Sequence, residues 1–169
     1  VKWSVSAEQS TSSDAYIVFK ASIDKSWHMY GINIADGGPI PLTIAFEENK
    51  AVKITEPLQQ ITQPEVVDDP IFSMKVELHS NKAVFRQKVK KLQNNLDIVV
   101  KGTINYMTCN DAQCILNDHD FEVVIKSPKE NAEKADANQE ITDQTERKPD
   151  TFKVASSDTI VTVDTVPAS

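Results

Sequence analysis

The chain has 169 residues, of which 40% are apolar, and a formal net charge of −7. This size suffices for one packed domain with an extension, and the acidic balance, with Lys and Arg scattered among the acids, leaves no basic surface for nucleic acid. Two cysteines are too few for a disulfide-rich mini-protein or a four-cysteine zinc site.

No run of about eighteen apolar residues could form a transmembrane helix. The first five residues also lack the charged and apolar regions of a signal peptide. We therefore expect the chain as given to be soluble. Its abrupt ends are consistent with a piece of a longer protein, in which case a signal peptide or a downstream membrane segment would lie outside it.

Short strand-like runs follow one another from residue 1 to residue 126. Apolar and polar residues alternate in most of these runs, and turn-forming residues separate them at roughly regular intervals. The clearest predicted strands cover residues 15–23, 42–46, 74–78, 82–89, 96–106 and 121–126. No stretch carries a helical stripe of useful length. The pattern predicts an all-β domain, built as an antiparallel β-sandwich.

The composition changes sharply after this domain. Residues 127–150 contain only three alanines and Ile141 as apolar residues, too few to offset the entropy of ordering. Residues 127–169 carry nine acids against five bases. We expect a polar, acidic linker or extension here, in which residues 151–163 regain strand character and could add an edge strand or lead into a following domain.

The close spacing of Cys109 and Cys114 suggests that they act on each other. Cys109 follows the predicted strand at 96–106, and a further run begins at His119, so the pair is expected at the mouth of a hairpin. Directly opposed residues of antiparallel strands have Cα atoms about 4.5–5.5 Å apart, a separation that suits a disulfide.

Two interpretations of this bridge stay open at the level of the residues. It could simply staple the hairpin, although closing a loop of about six residues gives only about 2 kcal/mol in the chain-entropy model. Alternatively, it exchanges with other thiols. Asp111 would disfavour a thiolate beside it, and His119 is expected at the surface, so the pair suits an electron acceptor that a partner's thiolate attacks.

A copper(I) site is a weaker alternative, since the chain offers soft ligands near the pair. These are Met74, Met107, Cys109, Cys114 and His119. No Cys-x-x-Cys or paired-histidine motif supports such a site. We therefore expect no metal and no other cofactor.

Three segments carry a resemblance to a known family. They are SWHMY at residues 26–30 with DGGPIP at 36–41, DDPIFSMKVE at 68–77, and VKGTINYMTC at 100–109 followed by Cys114. Together they span residues 1–126 in the expected order. The sequence resembles the N-terminal periplasmic domain of the thiol:disulfide interchange protein DsbD, in the form found in Bacteroides-like bacteria.

This resemblance implies an immunoglobulin-like β-sandwich that exchanges disulfides. It implies that a thioredoxin-like domain reduces Cys109 and Cys114, and that the pair then reduces periplasmic disulfide-bearing partners, with Cys114 forming the mixed disulfide. Phe72 matches the aromatic residue of a cap loop that shields the cysteines. Two further acidic residues and one tyrosine match positions that line the family's active site, namely Asp68, Asp69 and Tyr30.

The gap between the cysteines is shorter than in the enterobacterial form of the family, which changes the loop and bears on partner choice. Phe72 also has a simpler interpretation as a core residue at the start of a strand. Trp27 is expected to be a buried aromatic, and the DGGP segment to form a turn with positive φ at glycine.

The resemblance predicts a periplasmic thiol-disulfide exchange domain, the soluble part of a membrane-anchored protein. The competing hypothesis is a non-catalytic β-sandwich that binds protein or carbohydrate and carries a structural hairpin disulfide.

Overall fold

The computed structural model describes residues 1–127. The chain divides into a first unit, Val1–Asn131, and a second, Ala132–Ser169. The linker predicted at residues 127–150 and the edge strand predicted at 151–163 lie outside the described residues, apart from Ser127. Within the described part of the first unit, no helix is long and apolar enough to span a bilayer.

The described residues form eleven β-strands and no helix. In chain order the strands are β1 (Lys2–Gln9), β2 (Asp14–Ser22), β3 (His28–Tyr30), β4 (Thr43–Phe46), β5 (Val52–Ile54), β6 (Gln59–Gln60), β7 (Glu65–Asp69), β8 (Met74–Ser80), β9 (Lys82–Lys91), β10 (Ile98–Cys109) and β11 (Cys114–Ile125).

The strands build two antiparallel sheets. The first has the order β1-β2-β9-β5, and β6 also pairs with β9; the second has the order β11-β10-β3-β8-β7, and β4 also pairs with β10. Every pairing is antiparallel. The predicted all-β, immunoglobulin-like antiparallel sandwich is confirmed.

The main core lies between the sheets and follows from the alternation along the long strands. In β10, Ile98, Val100 and Ile104 are buried in this core, whereas the residues between them point the other way. Aromatic rings fill its centre, where Phe19 of β2 meets Phe121 of β11 edge to face at a centroid distance of 5.1 Å. Replacing such a buried phenylalanine by alanine costs about 3–5 kcal/mol.

A second apolar cluster covers the outer face of the second sheet. We call it the outer cluster. Its fully buried members are Tyr30, Val76 and Cys109. Half-buried side chains pack around them, namely Ile34, Val67, Phe72, Met74, Leu78 and Met107. The outer cluster therefore places one of the two cysteines in an apolar environment apart from the main core.

The clearest predicted strands leave out β1, β5 and β6 of the first sheet and β3 and β7 of the second. Strands β3 and β7 could not be recognised because they are short, and because the sequence Asp68-Asp69-Pro70 at the end of β7 is more typical of a turn than of a strand. Strand β11 begins at Cys114, five residues before the predicted run at His119. Because β11 is an edge strand whose first seven residues are exposed or half-buried, its sequence has no apolar alternation to reveal it.

Of two smaller expectations, the glycine turn is confirmed, whereas Trp27, which was expected to be buried, is half-buried. Trp27 packs half-buried against the main core. Gly37 of the DGGP turn has φ of 85°, a conformation that glycine adopts without steric cost.

Candidate functional site

The two cysteines close the hairpin between β10 and β11. Cys109 is the last residue of β10 and Cys114 is the first of β11, and the register pairs them directly. Their side chains form a disulfide, and their Cα atoms are 4.0 Å apart. The predicted hairpin-mouth placement of the pair is therefore seen in the structure.

The loop between the cysteines is held by one asparagine. The amide N–H of Asn110 donates to the carbonyl oxygen of Gln113 at 3.0 Å. The side-chain Oδ1 of Asn110 accepts from the backbone amides of Ala112 and Gln113, both at 2.9 Å. Asparagine often stabilises turns in this way. These three hydrogen bonds, all within the loop, hold it closed between the two strand ends.

The two cysteine residues differ in exposure. Cys109 is 0% exposed within the outer cluster, whereas Cys114 is exposed to solvent. Of the two cysteines, Cys114 is therefore the one that a thiolate of another protein can reach with less rearrangement, because Cys109 is buried in the outer cluster. Attack on a disulfide at one sulfur expels the other as a thiolate. In this arrangement Cys114 is the exposed member of the disulfide and Cys109 the buried one.

Strand β3 flanks Cys109 on its other side. His28 is the Cα partner of Cys109, so Cys114, Cys109 and His28 lie in one row across three strands. Opposed residues in antiparallel strands point to the same face of the sheet. Tyr30, two residues further along β3, points to that face as well and is fully buried.

A buried hydrogen bond joins Tyr30 to Asp69. The Tyr30 hydroxyl donates to Oδ2 of Asp69 at 2.8 Å. The other carboxylate oxygen, Oδ1, accepts from the backbone amides of Ile71 at 2.8 Å and Phe72 at 3.2 Å. Asp69, which is 5% exposed, thus connects the loop that follows β7 to Tyr30 of the outer cluster through these hydrogen bonds.

These contacts shift the pKa values of both groups. Burial, together with the hydrogen bond and charge of Asp69, raises the pKa of Tyr30 strongly. Burial alone would raise the pKa of Asp69, but the hydrogen bonds from Tyr30, Phe72 and Ile71 outweigh it and lower that pKa. Asp69 therefore carries a negative charge at neutral pH and Tyr30 keeps its proton.

The loop of residues 70–73, which we call the cap loop, brings an aromatic ring to the cluster. Phe72 meets the ring of Tyr30 edge to face, at a centroid distance of 6.1 Å, and is a member of the outer cluster that contains Cys109. Residues 71–73 form a turn, in which Ser73 has φ of 54°, and β8 begins only at Met74. Phe72 thus packs from a loop.

A groove of about 360 Å³ lies between the cap loop and the hairpin loop that joins the two cysteines. The cap loop forms one wall through Pro70 and the exposed Ile71, and the hairpin loop forms another through Asn110 and Asp111. The remaining lining residues are His28, Val67, Asp69 and Leu78. The groove is thus apolar at its base and carries carboxylates, with no Lys or Arg among its described lining residues.

The imidazole of His28 is the second titratable group of the groove. Burial lowers the pKa of His28, and the nearby carboxylates of Asp69 and Asp111 partly oppose this effect. Its ring packs edge to face on Tyr30 at a centroid distance of 5.6 Å. The site therefore holds a neutral histidine between two acidic residues at neutral pH.

The structure brings five of the six predicted site residues together. Cys109, Tyr30 and Phe72 share the outer cluster, Asp69 is bonded to Tyr30, and Cys114 completes the disulfide. The sixth, Asp68, points to the opposite face of β7 and forms an exposed ion pair with Lys75 at 3.0 Å. The geometry does not place Asp68 in the site.

Two residues at the site were not predicted. His28 could have been found because it lies two positions before Tyr30, a spacing that puts both on one face of a strand. Asn110 follows Cys109 directly and is a turn-forming residue type.

The soft ligands considered for copper(I) do not converge. Met74 and Met107 pack in the outer cluster with Cys109, whereas His119 is exposed on β11 opposite Ile104. Within residues 1–127, no three His, Cys, Asp or Glu side chains are grouped as a metal would need.

Comparison with known proteins gives a family. Residues 2–126 match the family "Thiol:disulfide interchange protein DsbD, N-terminal". No curated protein matches the chain.

Solved structures resemble the fold. The N-terminal periplasmic domain of ScsB from Proteus mirabilis matches with a TM-score of 0.51 and 18% identity, over 69% of this chain and 42% of that one. The DsbD N-terminal domain of Neisseria meningitidis, in its reduced form, matches with a TM-score of 0.46 and 14% identity, over 73% and 84% of the two chains. This chain thus spans less than half of the ScsB domain.

Proposed function

The chain belongs to the family of N-terminal domains of thiol:disulfide interchange protein DsbD, and from this premise we propose that its disulfide accepts electrons from a thioredoxin-like domain and passes them to disulfide-bearing envelope proteins. Family membership supports a thiol-disulfide exchange module. One observation supports the finer proposal: Cys114 is exposed, whereas Cys109 is fully buried. A directional exchange reaction needs such an unequal pair.

Electron uptake begins when a thiolate of the partner attacks the sulfur of Cys114. The bond between Cys114 and Cys109 breaks, and Cys109 leaves with the bonding electron pair and takes up a proton. The second thiolate of the partner then attacks its own mixed-disulfide sulfur and releases Cys114. The partner is oxidised to a disulfide and this domain is reduced to a dithiol, a transfer of two electrons.

Electron delivery is the reverse sequence with a different partner. The thiolate of Cys114 attacks the downstream disulfide and expels one of its sulfurs. Cys109 then attacks Cys114 in the mixed disulfide, which frees the second sulfur of the downstream protein and restores the bridge. Cys109 can remain buried in both directions, since it reacts only with Cys114.

The cap loop is proposed to restrict access to the disulfide. Phe72 packs on Tyr30 in the outer cluster with Cys109, and Asp69 holds the backbone of the loop through two amides. An unshielded disulfide would react with any small thiol, so shielding supports partner specificity. A partner that displaces Phe72 would gain access to the sulfurs.

The cellular setting is proposed from the family. We place the domain in the bacterial periplasm, as the soluble part of a longer, membrane-anchored protein. A compartment that keeps disulfides oxidised is required for downstream substrates to exist. The downstream proteins would present an exposed disulfide that fits the groove between the cap loop and the hairpin loop.

A trapping experiment tests the proposal. In the Cys109→Ser variant, Cys114 is first converted to its mixed disulfide with thionitrobenzoate. A bacterial thioredoxin-like domain whose resolving cysteine is replaced by serine is then added. We expect rapid release of the coloured thiol and a covalent complex with the mass of both chains.

The matched control is Cys114→Ser, which keeps only the buried Cys109. We expect this variant to resist activation and to form no complex. If Cys109→Ser also forms no complex with the thioredoxin-like domain, the exchange proposal is wrong. A reduction potential below about −300 mV is typical of structural disulfides in secreted proteins. Such a value would favour the competing hypothesis of a non-catalytic β-sandwich with a structural hairpin disulfide.

A further inference from the structure

His28 lies beside the buried cysteine. The pairing of β3 with β10 makes His28 the Cα partner of Cys109, while Cys114 is the partner of Cys109 on the other side. Cβ atoms of directly opposed residues are about 4.5–5.5 Å apart, and both side chains point to one face. The imidazole is therefore on the same face of the sheet as the sulfur that leaves when the disulfide is opened.

The chemistry of Cys109 requires a proton. Its sulfur is fully buried in the outer cluster, and burial in apolar surroundings disfavours a thiolate. Among the described residues that line the adjoining groove, none is Lys or Arg, so the groove itself supplies no fixed cation to offset a charge on the leaving sulfur. The carboxylates of Asp69 and Asp111 at the groove would further disfavour that charge.

The surroundings of His28 suit a group that gains and loses a proton. It is half-buried, it packs on Tyr30 of its own strand, and it lines the groove, which connects it to solvent. The titratable groups around it are Tyr30, Asp69 at the end of β7, Asp111 in the hairpin loop, and the cysteine pair itself. Burial lowers the pKa of His28 while the two carboxylates partly oppose this effect, so the ring is neutral at pH 7 and binds a proton only at lower pH than an ordinary histidine.

We propose that His28 exchanges a proton with the sulfur of Cys109 during disulfide exchange, an inference that rests on the proposed function. When a partner thiolate opens the bridge at Cys114, the imidazolium of His28 gives its proton to the departing Cys109 sulfur and becomes neutral. When Cys109 later closes the bridge again, neutral His28 takes that proton back. No other reactant is needed, because the electrons come from the partner thiolate.

The test compares rates of disulfide reduction across pH. The oxidised wild-type domain and the His28→Gln variant are mixed with dithiothreitol between pH 5 and pH 8, and free thiols are counted by alkylation and mass spectrometry. Each rate is divided by the concentration of dithiothreitol thiolate, which removes the pH dependence of the reductant. We expect wild type to be faster by about tenfold at pH 5, below the roughly 10²–10⁴-fold typical of general acid catalysis because a thiolate leaves readily, and the advantage to vanish towards pH 8.

Two further variants make the result specific. His28→Phe keeps an aromatic ring against Tyr30 but cannot carry a proton, so it should behave like His28→Gln. His119→Gln removes the exposed histidine of β11 and should match wild type at every pH. The midpoint of the wild-type advantage should coincide with the titration of the His28 ring followed by NMR.

The outcomes separate this inference from the proposed function. If wild type is reduced but both His28 variants follow its pH profile, or are slower by one constant factor at all pH values, His28 has no role in proton transfer. If the wild-type disulfide itself resists dithiothreitol throughout the range, the exchange function is contradicted whatever His28 does.

Discussion

The hydroxyl of Tyr30 donates a 2.8 Å hydrogen bond to Asp69, a carboxylate that also accepts two backbone amides of the loop carrying Phe72. One side chain thus connects a fully buried residue of the outer cluster to the backbone of the cap loop. The two residues are 39 positions apart in sequence. The position of the cap loop therefore depends on long-range packing.

Replacing Asp69 by alanine should destabilise the domain and release the cap loop. The variant leaves the buried Tyr30 hydroxyl and two loop amides without their acceptor, which should lower the free energy of unfolding by about 1–3 kcal/mol. Asp68→Ala is the matched control, because Asp68 forms only an exposed ion pair and such pairs contribute little. Urea unfolding measures both; equal losses would contradict the assignment of Asp69.

Replacing Phe72 by alanine should expose the disulfide. Edge-to-face aromatic pairs contribute about 0.5–1.5 kcal/mol. Losing the contact with Tyr30 should therefore raise the fraction of molecules whose cap loop has left the outer cluster by about two- to tenfold, and the rate of reduction by dithiothreitol should rise by the same factor. Ile71→Ala changes the same loop at an exposed position and should stay near the wild-type rate. A Phe72→Ala domain that is reduced no faster than Ile71→Ala would show that Phe72 does not shield the sulfurs.

In the reduced domain, Cys114 should alkylate before Cys109. The thiolate of an exposed cysteine meets iodoacetamide freely, whereas a buried cysteine is inert, so we expect a rate difference of about tenfold or more. Pulsed alkylation followed by peptide mass spectrometry at neutral pH measures both rates in one sample. Comparable rates would mean that the two sulfurs are not unequal in solution, which would weaken the directional mechanism.

The buried His79 should make the domain less stable in mild acid. His79 is 2% exposed, its Nε2 lies 2.8 Å from Oε1 of Gln60, and burial lowers its pKa despite the charge of Glu77. A lowered pKa means that the unfolded chain binds the proton more readily, so stability is lost as pH falls below about 6.5, the pKa of an unperturbed histidine. One such proton costs at most about 1.4 kcal/mol per pH unit.

The measurement is the free energy of unfolding from pH 7.5 down to pH 5 in wild type and His79→Gln. We expect a shallower decline in the variant. His28 acts in the same direction, so the difference between the two curves, rather than the wild-type slope, reports His79. The exposed His119 provides the control, and His119→Gln should keep the wild-type slope. Parallel curves for His79→Gln and wild type would contradict the prediction.

The fold could be predicted from sequence where a strand buries one face. Strands β2, β9 and β10 alternate apolar and polar residues because one side lies against the main core. The first half of β11 could not be found this way, since an edge strand with both faces near solvent needs no alternation. Short strands such as β3 are defined by their neighbours in the sheet, which local sequence does not show.

The site was predictable only in part for the same reason. Cys109 and Cys114 are close in sequence, so their pairing across a hairpin follows from local geometry. Asp68 and Asp69 are adjacent in β7, and only the sheet register decides which of them faces the outer cluster. Because the sequence does not predict β7, it gives no reason to prefer Asp69 over Asp68 as a site residue. The hydrogen bond from Tyr30 identifies Asp69 as the residue that faces the outer cluster.

Strand β10 contributes side chains to both faces of its sheet, with Ile104 in the main core and Cys109 in the outer cluster. An insertion or deletion of one residue within Ile98–Cys109 would turn its later side chains to the wrong face, so core packing and chemistry would fail together. The loop at 110–113 lies beyond the paired residues and bears no such constraint. Evolution can therefore lengthen or shorten the segment between the cysteines, as long as the two strand ends still meet.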